Sequence, residues 1–184
     1  DPAKKSPLET LVPLTVSLDV EDHRASWERD RVGNSKNSFG NVVDAIRSNE
    51  PPTATLKDAL AKELANNGIR VQELPAATVQ KVIRVQLRKY WVENQVKVLD
   101  IAMSATVVAD IVVEDLAPRG MTSSHTLTGS AQDSRQFALE YAYEASLNDA
   151  VAEFVQSFAR NPGVLRALRR TGPSGTVSSS TLDK

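Results

Sequence analysis

The chain contains no cysteine. That absence removes disulfides, thiolate metal sites, iron–sulfur clusters and cysteine nucleophiles together. Histidine is scarce: His23 and His125 are the two in the sequence. Both lie in polar stretches, and each reads as a solvated histidine rather than as a base or a ligand. No HExxH, GxSxG, P-loop or GxGxxG occurs, so the motifs of zinc hydrolases, of the nucleophile elbow and of phosphate cradles are missing. The residues therefore nominate no catalytic group, no metal ligand and no cofactor. The formal net charge is −1, which supplies no global basic field for nucleic acid or an anionic membrane. No apolar run approaches the roughly 20 residues that a membrane-spanning helix needs. Aromatics are 5% of the residues, so aliphatic side chains have to build most of the core.

Aliphatics are present in the right pattern. With 184 residues and 41% hydrophobic content, the chain is expected to form one domain with tails. Residues 1–10 are polar, carry two prolines and have no period. They read as a flexible lead-in, and 171–184, rich in Ser, Thr and Gly, as a flexible tail. The domain is expected between, over 11–170.

A strand is predicted over 12–20, where Leu14, Val16, Leu18 and Val20 alternate with polar residues. It feeds the charged run Glu21-Asp22-His23-Arg24 and a long polar segment, 21–52, read as a surface loop. Within it, Val42 to Ile46 fits a helical turn or a short strand. A helix is predicted over 54–67, with Thr55 and Asp58 spaced as a capping box and Asn67-Gly68 as the stop. Leu56, Leu60 and Leu64 form its apolar stripe. A short strand is expected over 69–74.

Residues 79–91 alternate again, with Ile83, Val85, Leu87 and Trp91 on one side and Arg84, Gln86, Arg88 and Tyr90 on the other. Residues 92–95 read as a turn or bulge. Strands over 98–113 and 121–131, joined by a turn at 115–120, complete a three-stranded meander. A last helix is expected over 138–159. Ser146 with Asp149 offers a later start, and 134–145 fits helix and strand alike. Asn161-Pro162-Gly163 interrupts the helix, and one more short turn follows over 164–168. The order implies an α+β fold: a mixed, mostly antiparallel sheet of four to five strands with two helices packed on one face.

Asp22 and Arg24 are expected to pair and fix the base of the long loop. Glu28, Arg29, Asp30 and Arg31 form a run of mixed charge, which reads as a solvated segment or as part of a partner-binding surface. Asn34, Arg84, Arg88 and Tyr90 join them as partner-binding candidates. Basic residues beside Tyr90 and Trp91 also fit single-stranded nucleic acid. A wet strand face explains them better in a chain of this net charge, and no nucleic-acid partner is expected.

Three stretches carry a resemblance. They are Val20-Glu21-Asp22-His23-Arg24 with Gly33 following, Leu56-x-x-Ala59-Leu60-x-x-x-Leu64-x-x-x-Gly68-Ile69-x-Val71, and Leu147-Asn148-Asp149-Ala150-Val151 through Asn161-Pro162-Gly163-Val164-Leu165. Together they resemble the YajG-like family of bacterial lipoproteins over most of 12–168. The polar insertion after Arg24 and the serine-rich tail depart from it. The resemblance implies a non-enzymatic envelope protein, exported by a signal peptide, facing the periplasm and held at the outer membrane by an acylated cysteine upstream of Asp1. Expected partners are envelope proteins or further copies of the chain, met through the long loop or an exposed sheet edge. The alternatives are a lipid- or glycan-binding module using the groove between helices and sheet and, less favoured, a hydrolase.

Overall fold

The computed structural model describes residues 6–11, 13–96, 100–117, 120–135 and 140–169. Ten elements follow in order: β1 (Thr15–Asp22), β2 (Gly33–Lys36), β3 (Val42–Ile46), α1 (Pro52–Asn66), β4 (Arg70–Val71), β5 (Lys81–Val96), β6 (Ile101–Asp115), β7 (Thr122–Arg135), α2 (Glu140–Arg160) and α3 (Pro162–Arg169). The α+β class stands. Among the described residues, however, the sheet is mixed and has seven strands rather than four or five. Three α-helices replace the expected two.

The sheet is organised on β5. One side of β5 pairs antiparallel with β6 along almost its whole length, and β6 pairs in turn with β7. The other side is shared. β1 runs parallel to the first half of β5, from Val16 opposite Lys81 to Asp22 opposite Leu87. β2 runs parallel to the second half, with Gly33 opposite Val92. β4 extends the sheet beyond β1 and β3 beyond β2. The sheet therefore forks along one side of a single strand.

Alternation explains why β5 and β6 form: Ile83, Val85 and Leu87 point into the core, and opposite them stand Val113, Ile111 and Ala109. The helices cover that face. Leu56, Leu60 and Leu64 of α1 are fully buried and pack toward β1. α2 presents Leu147, Ala150, Val151, Phe154 and Phe158 at helical spacing and crosses β5, β6 and β7. Its backbone comes so close to β7 that a Cβ at Gly129 would lie 2.2 Å from the Ala150 carbonyl oxygen. Only glycine admits this approach. The sheet's other face is polar, with cross-strand pairs between Arg84 and Glu114 and between Arg88 and Asp110.

Several boundaries differ from the sequence reading. β1 begins at Thr15 rather than 12. Within the expected lead-in, residues 6–11 are ordered by packing: a 3-10 turn over Pro7–Leu11 buries Leu8 and Leu11 against α2 and α3. Residues 1–5 lie outside the described residues, as do 97–99, 136–139 and the tail from 170 onward. α1 starts on Pro52, with no side-chain hydrogen bond from a cap. Proline suits that position, because its missing N–H would have no partner there, and the Thr55–Asp58 box is not used. The short strand over 69–74 shrinks to Arg70–Val71. Residues 92–95 are neither turn nor bulge, since β5 continues to Val96. α2 is helical from Glu140, and Ser146 lies inside it with its hydroxyl donating to the Ala142 carbonyl.

Candidate partner-binding site

The fork creates a structural problem. β1 leaves β5 after Asp22, with a last bond from the His23 amide to the Leu87 carbonyl at 2.9 Å. β2 rejoins with the Val92 amide donating to the Val32 carbonyl at 2.8 Å. Residues 24–31 bridge the gap, and β5 bulges there. Leu87 faces Ala109 and Lys89 faces Val108, so Arg88 is an extra residue. A bulge reverses the alternation beyond it. Tyr90 therefore enters the core, and Trp91 turns to the polar face.

Arg24 fills the crotch of the fork. It is 3% exposed. Its Nε and Nη2 donate to the Asp22 carboxylate at 3.0 and 2.9 Å, and the Arg24 amide donates to Asp22 Oδ1 at 3.0 Å. The far side of the guanidinium donates to the carbonyls of Arg31 at 3.1 Å and Arg29 at 3.4 Å. One buried cation thus holds the end of β1 and the return of the loop together. The hydrogen bonds from Arg24 hold the Asp22 carboxyl below its usual pKa, against the opposing effect of partial burial.

Aromatic contacts complete the bridge. Trp27 meets Trp91 edge-on with ring centroids 5.7 Å apart. The Arg31 guanidinium lies 5.6 Å from the centre of the Trp27 ring, and Arg31 Nε donates to the Trp27 carbonyl at 3.1 Å. Arg47, just past β3, donates to the Asp30 carbonyl at 3.0 Å. The segment expected as one long loop is therefore pinned at both ends, and its middle is the hairpin β2–β3.

The hairpin is fixed to β5 in three ways. A Cβ on Gly33 would lie 2.0 Å from the Val92 carbonyl oxygen, so the two backbones touch only because Gly33 has no side chain. Asn94 receives the Lys36 amide at 2.7 Å and returns a bond to the Lys36 carbonyl at 2.9 Å. The Lys36 ammonium meets the Glu93 carboxylate at 2.6 Å. At the tip, Asn37 Oδ1 accepts from the amides of Phe39 and Asn41. Beyond these ties the hairpin carries three bare apolar side chains: Phe39 is 87% exposed, Val42 54% and Val43 61%. The register slips between Ser35 and Lys36, so β3 carries Val43 as an extra residue.

The nominated residues fall into separate groups. Glu28, Arg29, Asp30 and Arg31 lie on the bridge, and Asn34 on β2 beside Glu93. Arg84 and Arg88 lie on the polar face, in ion pairs with Glu114 and Asp110. Thr126 donates to Asp110, and this bond, with Arg88, holds the Asp110 carboxyl low. Tyr90 is 4% exposed on the core face and is no part of that surface. Phe39, Val42, Val43 and Trp27 lie within the long loop expected to meet partners, though not among its candidate residues. Two adjacent valines and a lone phenylalanine in a polar segment were the available signal.

The histidines divide. His23 pairs with Glu21 at 2.8 Å on the open polar face. His125, expected to be solvated, packs instead under Gly163 at the start of α3, and its Nε2 is buried with no partner among the described residues. The described residues contain no cluster of three or more groups fit to hold a metal ion. None of their helices is long and apolar enough to cross a membrane.

A family model described as uncharacterized lipoprotein matches residues 3–169. The chain belongs to this lipoprotein family, the YajG family that its motifs resemble. Membership implies an envelope protein anchored to a membrane. No curated protein matches it. Among solved structures, a Xanthomonas campestris protein is similar in fold, with a TM-score of 0.61 at 15% identity, over 91% of this chain and 90% of that one. A minor lipoprotein from Acinetobacter baumannii shares 17% identity over 81% of this chain and 95% of its own, with a TM-score of 0.43.

Proposed function

We propose that this YajG-family domain is a non-enzymatic component of an envelope assembly, facing the periplasm from the outer membrane, and that it docks another envelope protein through the hairpin β2–β3. One observation carries the reading. Val42, Val43 and Phe39 are each exposed on one hairpin that Gly33, Asn94 and the Lys36–Glu93 pair hold in place. Three large exposed apolar side chains within five residues of a short polar segment favour an interaction surface there. A fixed hairpin loses little freedom on binding, so more of the contact energy reaches affinity. Arg24 ties the end of β1 to the chain just ahead of the hairpin.

The test is recovery of partners from cross-linked envelope extracts by the wild-type chain and by a Val42→Asp, Val43→Asp double variant. Both sites are exposed, so the fold is expected to persist. A protein captured by the wild type and lost with the double variant supports the reading. Identical recovery rejects the hairpin as the contact. Fractionation of cells producing the full-length precursor tests the compartment, and recovery in the soluble cytoplasmic fraction overturns the outer-membrane placement.

A further inference from the structure

Among the described residues, β3, β4 and β7 each pair on one side alone and are edge strands. Two of the three are guarded. β4 has two residues. β3 has five, is interrupted by the bulge at Val43, and gives its Ala45 amide to the Asp44 side chain at 2.8 Å. Shortness, bulges and charged side chains are the usual means by which a sheet refuses a further strand. β7 is 14 residues long, and its ladder with β6 runs without a slip. It contains no lysine and no proline. Its guard is at the far end, where Asp133 takes the Ser134 amide at 2.8 Å.

One bond fixes the direction of its backbone groups. The Asp115 amide donates to the Met121 carbonyl at 3.1 Å, so Met121 faces β6. Direction alternates along an antiparallel ladder. The odd-numbered residues of β7 therefore face β6, and the even-numbered ones face the open side. From Thr122 to Ser134 the even-numbered residues are all exposed. The Thr128 carbonyl agrees with this parity, since it accepts from Ser157 of α2, outside the sheet, at 3.3 Å. A carbonyl has two lone pairs and can take a second donor. From Thr122 to Gln132 the other outward amides and carbonyls have no protein partner among the described residues. None of these outward residues is charged.

Two copies of this edge complement each other. We propose that the domain forms a two-fold dimer in which β7 pairs antiparallel with β7 of a second copy, centred on Leu127. That register uses the whole open stretch. Thr126 stands opposite Thr128 of the second copy, Ser124 opposite Ser130, and Thr122 opposite Gln132. These pairs match hydroxyl with hydroxyl or amide and bring no like charges together. The adjoining helix adds attraction. Ser157 marks where α2 reaches the edge, and the exposed Glu153 and Arg160 lie about one turn to either side of it. The two-fold reverses the helix, so Glu153 of each copy is brought toward Arg160 of the other. A second copy is the occupant that such a self-matching surface fits. The hairpin takes no part, because β3 lies at the opposite edge of the sheet.

The test is sedimentation equilibrium of the full chain from about 1 μM to about 1 mM. A dimer is expected. Thr128→Pro removes an outward amide and no bond of the β6 ladder, so the monomer is expected to stay folded. Each dimer of that variant loses two hydrogen bonds, and association is expected to weaken about tenfold or more. Should it fail to fold, Glu153→Arg on the exposed flank of α2 reads the same contact. It is expected to weaken association roughly threefold to tenfold, and Arg160→Glu added to it to restore the wild-type affinity. A wild-type chain that stays monomeric throughout overturns the proposal and leaves the edge to an extended segment of another protein or of this chain. Undiminished association in either folded variant, or no recovery on the charge swap, overturns it and puts the contact elsewhere.

Discussion

Arg24 is nearly inaccessible to solvent, whereas its carboxylate partner Asp22 keeps more than a quarter of its side chain exposed. The asymmetry has an energetic consequence. Removing Asp22 leaves a buried guanidinium with only the Arg29 and Arg31 carbonyls. Removing Arg24 leaves a carboxylate that water can reach. Asp22→Ala is therefore expected to cost about 2–3 kcal/mol, short of the figure for a fully buried pair because Asp22 is partly wet. Arg24→Met, which keeps much of the volume, is expected to cost less. Urea unfolding of the two variants checks the order, and a larger loss in Arg24→Met would show that the carbonyl contacts outweigh the ion pair.

The same pair sets a pH dependence. The Asp22 carboxyl lies below its ordinary value of 3.8 in the folded chain, so the unfolded chain takes up the proton first as acid is added. The stabilisation is complete above that ordinary value and is lost as pH falls through the lowered folded value. Comparison of wild type with Asp22→Asn from pH 6 to pH 2 isolates it. The stability difference is expected to be constant at the upper end and to shrink at the acidic end. A difference that grows with acid would reverse the sign of the assignment.

Gly33→Ala tests the joint between hairpin and sheet. Its Cβ would fall 2.0 Å from the Val92 carbonyl oxygen, so β2 has to move off β5. The expected loss is roughly 2–4 kcal/mol. Hydrogen exchange is expected to quicken over 32–46 while β6 and β7 keep their protection. Uniform loss of protection would mean that the hairpin and the main sheet unfold together.

The start of α3 offers a smaller effect. Asn161 Oδ1 accepts from the amides of Gly163 and Val164 at 2.9 and 3.1 Å, which is the work of an N-terminal cap. Asn161→Ala is expected to cost about 1 kcal/mol, and Asn161→Ser to recover most of it. Thermal melts of both variants distinguish capping from mere packing at this site.

What the sequence shows of this fold follows the physics of burial. β5, β6 and the stripes of α1 and α2 are each buried on one side only, so period-two and helical patterns expose them. The hairpin leaves no such trace, because Val42 and Val43 are both exposed and Gly33, Ser35 and Asn37 are polar or small. Its order comes from contacts distant in sequence: Asn94 to Lys36, Val92 to Val32, Arg47 to Asp30. Tyr90 was assigned to the wrong face for a definite reason. Alternation counted through Arg88 puts it outside, and the bulge at that residue changes the parity. The Asp22–Arg24 contact was legible because it is local, two residues apart at a strand end. Its burial was not, since the surface over Arg24 is supplied by a loop that folds back seven residues later.

The forked sheet also sets a distance. β1 enters beside Lys81, and β2 takes over at Val92 and Glu93. With Arg88 bulged out, and at about 3.3 Å per residue, those stations lie roughly 35 Å apart along β5. The chain's entry into the domain and its bare apolar tip therefore sit toward opposite ends of one rod. If a lipid holds the entry end, the length of β5 sets how far the bare side chains of the hairpin stand from that end.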